Sequence, residues 1–277
     1  MFHEVGSAEY SVDLFRAQLA FLQRIFQIVP LQQIWRENGS DLTRRPKLAL
    51  TFDDGLRNNF ALAYPILKEL DCPATFFVCP GLIDSGEWLW NHECRARLAC
   101  ISIDERRRLA ERMGLSSSDG EAIIQKLKYM AHARRVEFEK EIAEATPTFK
   151  PTEQQRRDFD VMSWAELKRL EPDLITIGGH SLSHQILTQL DSEHLEREVA
   201  VCKSWLEGEL HRPVDHFCYP DGAYNSKVQA CVGRHFVSAV TTEQGWVPVQ
   251  PSLLELPRIS IPSNLLDLAW RMQRPTG

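Results

Sequence analysis

The stretch Lys47-Leu-Ala-Leu-Thr-Phe-Asp-Asp-Gly55 decides the fold. Its first six residues read as a short strand, and two carboxylates and a glycine follow where the strand ends. Similar apolar runs return along the chain. Ala74-Thr-Phe-Phe-Val78 lies between Pro73 and Pro80, and Leu174-Ile-Thr-Ile177 runs into Gly178-Gly179. Residues 214–219 and 236–241 repeat the pattern. Helical periods alternate with these runs. Residues 11–26 place Leu14, Phe15, Leu19, Leu22 and Phe26 at helical spacing, and a second helix is expected around 61–70. Residues 191–210 put Leu195, Val199, Cys202 and Leu206 on one face, with Asp191 or Ser192 as N-cap. This rhythm predicts an α/β fold with a parallel sheet or β/α barrel.

The rhythm breaks between about 91 and 160. That stretch is charge-dense (Asp104-Glu-Arg-Arg-Arg108, Arg134-Arg135) and has helical period around Ile123, Leu127 and Met130. It reads as a helical insertion between two core strands. Its charges suit a solvated face. Alternatively, the insertion covers a site at the C-terminal ends of the strands.

Composition excludes several classes. The 277 residues are 43% hydrophobic and 25% charged, an ordinary globular balance. No uncharged apolar run approaches the ~20 residues of a membrane span. With 32 Lys and Arg against 38 Asp and Glu, the formal charge is −6, which disfavours nucleic acid as a partner. The first residues show no basic n-region and no long apolar segment, so no signal peptide is read. A cytoplasmic location is expected for the chain as it stands, and a periplasmic or extracellular one if its N-terminus is truncated. The seven cysteines are odd in number and include no C-x-x-C pair, so they are expected to be small buried hydrophobes rather than a zinc ribbon or disulfide framework.

Three motifs at strand ends carry chemistry. Asp53 and Asp54 would repel one another unless a cation or proton separates them. In His180-Ser-Leu-Ser-His184 two imidazoles face the same side if the segment is helical, at a spacing suited to Zn²⁺ with a carboxylate as third ligand. Phe217-Cys-Tyr-Pro-Asp-Gly222 forces a tight turn that can present a backbone N–H to a ligand.

In this order the motifs resemble the polysaccharide deacetylase family of carbohydrate esterases (the NodB-homology group). The matches are Thr51-Phe-Asp-Asp-Gly55, His180-Ser-x-x-His184 and Tyr219-Pro-x-Gly222, supported by Pro73-Ala-Thr-Phe-Phe77 and Ser163-Trp-x-Glu-Leu167. The resemblance covers nearly the whole chain and implies one distorted (β/α)7-type barrel domain over 1–277, with the insertion at about 91–160. It further implies a hydrolase that removes N-acetyl groups from an N-acetylated saccharide or exopolysaccharide, using one divalent ion, usually zinc. By position, Asp54, His180 and His184 hold the metal, Asp53 is the general base, and the backbone N–H of Asp221 stabilises the oxyanion.

Two departures matter. The arginine usual in the third motif falls at Cys218, and the usual C-terminal Leu-x-His reads Leu256-Pro-Arg-Ile259. Both roles can move in the branch similar to poly-β-1,6-N-acetylglucosamine deacetylases, whose motifs are circularly permuted. There a Tyr-His motif opens the barrel, and Met1-Phe-His-Glu-Val5 matches it with Phe for Tyr. His3 is then the expected general acid, placed across the metal from Asp53, and Arg258 stands in for the missing arginine. His92 and His132 fall in the insertion and are set aside. Tyr219, Trp246, Trp90, Trp164 and Trp88 are candidates to line a sugar cleft, because aromatic faces pack against pyranose rings. The alternatives are a deformylase or deacetylase of a small or carrier-linked N-acyl sugar, and a carbohydrate-binding pseudoenzyme. The sugar, its linkage and the oligomeric state are not readable from the residues.

Overall fold

The computed structural model describes residues 1–7, 10–36 and 45–273. Six strands form one parallel sheet in sequential order: β1 (Leu50–Phe52), β2 (Ala74–Val78), β3 (Ile175–Gly179), β4 (His216–Cys218), β5 (Ser238–Gln244) and β6 (Leu256–Arg258). β1, β2 and β4 are buried at every position, as expected for strands covered on both faces. Helices pack outside the curled sheet, giving an α/β half-barrel. Among the crossovers, α1 (Val12–Ile25) begins where the Ser11 hydroxyl accepts from the Leu14 N–H, and it buries Phe15, Leu19 and Leu22.

The expected strand over 47–52 divides at Ala49. Lys47–Leu48 pairs instead with Gln27–Ile28 in a separate two-stranded ladder. β6 was not foreseen, because three residues containing a proline do not read as a strand. Its position explains the tolerance: β6 pairs with one neighbour, β5, so the missing N–H of Pro257 need not break a ladder on both sides.

Met1 and Phe2 bridge the two edges of this sheet. Phe2 donates to Thr51 and accepts from Asp53, at 2.8 and 3.0 Å. The Met1 amine donates to Ile259 at 2.8 Å, and its carbonyl accepts from Ile261 at 3.1 Å. Two residues thus act as a stave between β1 and the chain just past β6. The Phe2 ring stacks on Phe52 at 4.7 Å. On β3, Gly178 allows close strand packing, since a Cβ there would meet the Phe77 ring at 2.4 Å.

Between β2 and β3 the chain forms five helices, α2 (Trp90–Leu98), α3 (Ile103–Arg112), α4 (Gly120–Lys128), α5 (His132–Glu144) and α6 (Glu153–Phe159), besides shorter turns. The first four share a core of their own that includes Trp90, Leu98, Ile123, Leu127 and Phe138. Ile186, from the segment after β3, joins that core. Arg135, expected among the solvated charges, is buried instead. Its guanidinium pairs with Glu139 at 2.9 Å, bonds Gln185, and lies 4.6 Å over the Trp90 ring. Among the described residues all seven cysteines are free, six buried and Cys100 exposed. No described helix is long and apolar enough to cross a membrane.

Arg258 pins the other side of the seam. Its guanidinium donates to both Asp53 oxygens at 2.7 and 2.8 Å, to the Thr241 carbonyl at 2.7 Å, and to Thr51 Oγ1 at 3.2 Å. Removing one partner of a buried pair leaves an uncompensated charge, so Arg258→Met should lower stability by roughly 3–5 kcal/mol. Urea unfolding measures this, and adding Asp53→Asn should recover much of the loss. An unchanged midpoint for Arg258→Met would show that the pair contributes nothing to closure.

Candidate active site

Because every strand runs the same way, the segments after β1, β3 and β4 emerge at one end of the sheet. Four of the six described non-glycine residues with positive φ lie in those segments: Asp54 (71°), Ser181 (61°), His184 (57°) and Asp221 (56°). Backbone held in this sparsely populated region concentrates where the surrounding structure enforces it, and functional sites are the usual place.

Asp54, His180 and His184 are all buried, and their ligand-type atoms lie within 4.8 Å of one another. Nε2 of His180 and of His184 stand 3.4 and 3.3 Å from Asp54 Oδ1. The pairing does not arise from a helix, as the spacing had suggested. Residues 181–183 form a turn, and left-handed Ser181 and His184 fold the second imidazole back toward the first. Glu198 of α7 (Ser192–Leu210) secures the turn by accepting from the Ser183 N–H at 3.0 Å and its hydroxyl at 2.7 Å. His180 Nδ1 donates to the Cys218 carbonyl at 2.7 Å, which fixes the proton there and leaves the Nε2 lone pair toward Asp54. Burial works to raise the Asp54 carboxyl. The His180 and His184 rings beside it outweigh this and hold the group well below the usual carboxylate range. Two imidazole nitrogens and one carboxylate, converging with the tautomer set by an outer carbonyl, are a donor set that fits a divalent cation.

Asp53 faces a different partner. Burial again works to raise its carboxyl, but the Arg258 charge and hydrogen bonds bring it to about 2, so it is ionised at neutral pH. Arg258 also donates to the Cys218 sulfur at 3.3 Å, so the residue standing where an arginine was expected touches the arginine that takes up the contact.

His3 lies on the cleft with its Nε2 4.0 Å from Asp53 Oδ2. It therefore stands beside the carboxylate, on the same cleft as Asp54, His180 and His184. The reason is register: Phe2 pairs in parallel with Phe52, so the next residues, His3 and Asp53, leave the strand ends side by side.

Tyr219-Pro-Asp-Gly222 closes as a tight turn, with Gly222 donating to Tyr219 at 2.9 Å and Ala223 to Pro220 at 3.0 Å. The Asp221 N–H takes part in neither bond. Only glycine fits at 222, since φ is +66° and a Cβ would fall 1.9 Å from Thr242 Oγ1. The Asp221 carboxylate is held at 2.5 Å by Lys128, the last residue of α4.

These groups surround a cleft of about 230 Å³, lined also by Glu4, Asn91, His92, Arg95, Tyr219 and Thr242. Of the aromatic candidates, Tyr219 lines it, with its hydroxyl bonded to the Leu254 carbonyl at 3.0 Å and its ring stacked on Tyr224. The four tryptophans do not. Trp90 belongs to the core of the inserted helices, and Trp88 is buried against Phe149 and Phe159 with its N–H on Asp160. Trp164 packs near Trp205 against the main core. Trp246 sits by Phe26 on a separate apolar cavity of about 730 Å³ between β1 and β6. Each large ring found its packing partner away from the strand ends. Conversely, His92 was set aside from the sequence and lines the cleft. Nothing in its local pattern marks it, because packing of the inserted helices puts it there.

Comparison with known proteins bears on the fold and the family. No curated protein matches the chain at the sequence level. Among solved structures, the Streptococcus pyogenes deacetylase PplD in complex with acetate superposes with a TM-score of 0.66 at 20% identity, covering 100% of this chain and 96% of that one. IcaB from Ammonifex degensii gives 0.58 at 16% identity, over 94% of this chain and 89% of its own. A de-N-acetylase from Aggregatibacter actinomycetemcomitans gives 0.60 at 14%, over 95% and 94%. At these identities the likeness concerns the fold. The family model for polysaccharide deacetylase matches residues 41–239, which run from the approach to β1 into β5 and hold Asp53, Asp54, His180, His184 and Asp221, and the chain therefore belongs to the polysaccharide deacetylase family.

Proposed function

We propose that this protein hydrolyses the N-acetyl group of an N-acetylated saccharide, with Asp54, His180 and His184 holding one divalent cation, zinc by the nature of the donors. The observation that carries this reading is the buried Asp–His–His cluster beside a second carboxylate that is pinned separately by arginine. When bound, the cation supplies Lewis-acid polarisation of the acyl carbonyl and makes the attacking water more acidic.

The remaining steps belong to side chains of this chain. Asp53 is ionised and oriented by Arg258, so one of its oxygens accepts the proton of water as the new C–O bond forms. The free N–H of Asp221 donates to the carbonyl oxygen as negative charge develops there. Breaking the C–N bond needs a proton on the departing nitrogen, and the His3 imidazolium supplies it from beside Asp53. Acetate and the free amino sugar are the products. That PplD is described with acetate fits an acyl product of this kind.

Acetate release from N-acetylated oligosaccharides, with and without chelator, tests the reading. Chelation should abolish turnover and leave most of the fold. Asp53→Asn should abolish turnover with metal content near that of wild type, whereas Asp54→Asn should reduce both. Identical behaviour of the two variants would remove the division of labour between the aspartates.

His3→Ala should lower turnover by roughly 10²-fold with metal content unchanged, the scale of a lost general acid. Near-normal turnover in that variant would hand the leaving-group proton to another residue.

A further inference from the structure

The inserted helices send four polar side chains to the cleft: Asn91, His92 and Arg95 from α2, and Lys128 from α4. Two are already committed to carboxylates. Arg95 donates to both Glu121 oxygens at 2.9 and 3.3 Å, and Lys128 holds Asp221. The other two are not. Among the described residues, no group bonds either imidazole nitrogen of His92 or either amide atom of the Asn91 side chain, and Asn91 Oδ1 and His92 Nδ1 are sealed from solvent without a partner. Their other polar atoms, Asn91 Nδ2 and His92 Nε2, are unbonded and not sealed, so these are the two that a ligand in the cleft can reach.

The His92 side chain is nonetheless held in place. The His92 ring lies on Phe159 at 4.6 Å and 31°, and the backbone N–H of His92 donates to the Leu89 carbonyl at 2.9 Å. Burial pushes the imidazole down to about 4, which keeps it neutral. Toward the cleft the Asn91 amide donates, and Nε2 of the neutral His92 ring donates or accepts according to its tautomer. With Arg95 and Lys128 already neutralised, this wall matches an uncharged ligand that can both donate and accept.

We propose that Asn91 and His92 form a hydroxyl-reading subsite, which binds the sugar hydroxyls flanking the scissile N-acyl group and selects saccharides over other acyl compounds. The proposal rests on the deacetylase reading and names the substrate feature that the insertion recognises. In this role the insertion is a specificity element laid over the strand ends. A site built to bond a hydroxyl discriminates against a ligand that lacks one, because its own polar atoms are then left unpaired.

The test compares an N-acetylated chito-oligosaccharide with 4-nitrophenyl acetate, an acyl ester without sugar hydroxyls, on the metal-loaded full chain. His92→Phe retains a ring to lie on Phe159, and Asn91→Leu retains volume. Each should lower the ratio of saccharide to ester kcat/KM by roughly tenfold, the scale of one or two lost hydrogen bonds, mainly through KM for the saccharide. His92→Gln, which restores a donor and an acceptor, should recover part of that ratio. Equal losses on both substrates, or an unchanged ratio in both variants, would overturn the subsite. Failure of the deacetylase reading is distinguishable, since it would appear in the wild-type protein as ester hydrolysis without acetate release from any saccharide.

Discussion

The buried pair between Arg258 and Asp53 joins the last strand of the sheet to the end of the first, and the site depends on it. One guanidinium reaches Thr51 and Asp53 at β1, Cys218 on β4 and Thr241 on β5, so it ties three strand regions to its own. Desolvating two charges is costly, and their attraction offsets that cost only when the remaining donors and lone pairs are also satisfied. Here they are, through two parallel N–H···O bonds and further acceptors around the guanidinium. The same contacts keep Asp53 ionised and held by arginine, while Asp54 is the carboxylate that meets His180 and His184.

Parallel strands impose the second constraint. The polar motifs all follow strands whose residues are almost entirely buried, so the sheet itself offers them no partners, and they collect where the strands end. Bringing them within bonding distance there requires sharp turns, and left-handed Asp54, Ser181, His184 and Asp221 supply these. The strain is held by identifiable bonds, among them Glu198 to Ser183 and Lys128 to Asp221. The first comes from a helix of the barrel and the second from the insertion. The inserted helices therefore complete the wall of the cleft as well as covering their own core.

Much of the barrel was legible in the sequence because the signals are local. Apolar runs ending in Asp-Asp-Gly, Gly-Gly and Pro-Asp-Gly mark strands and their exits without reference to any distant residue. The helix start at Asp191 was readable for the same reason, since an N-cap acts on its own first turn. Asp53, Asp54, His180, His184 and Arg258 could be nominated as a group because their motifs resemble those of a known family. His3, Asp221 and Tyr219 came with them, whereas Asn91, His92 and Arg95 could not be nominated in this way.

By itself the sequence determined the order of strands and helices, the positions of the polar motifs, and the family to which the chain belongs. Only the tertiary structure decided that His92 enters the cleft while four tryptophans leave it, that Arg135 is buried, and that Leu256-Pro-Arg258 is a strand. The physical reason is the range of the interactions. Strand, cap and turn preferences act over a few residues, and a single chain displays them directly. Which side chain faces a cleft depends on helices packing against strand ends more than a hundred residues away in sequence, and on the register in which Met1 and Phe2 slot between β1 and Ile259. Those contacts exist only once the whole sheet has closed.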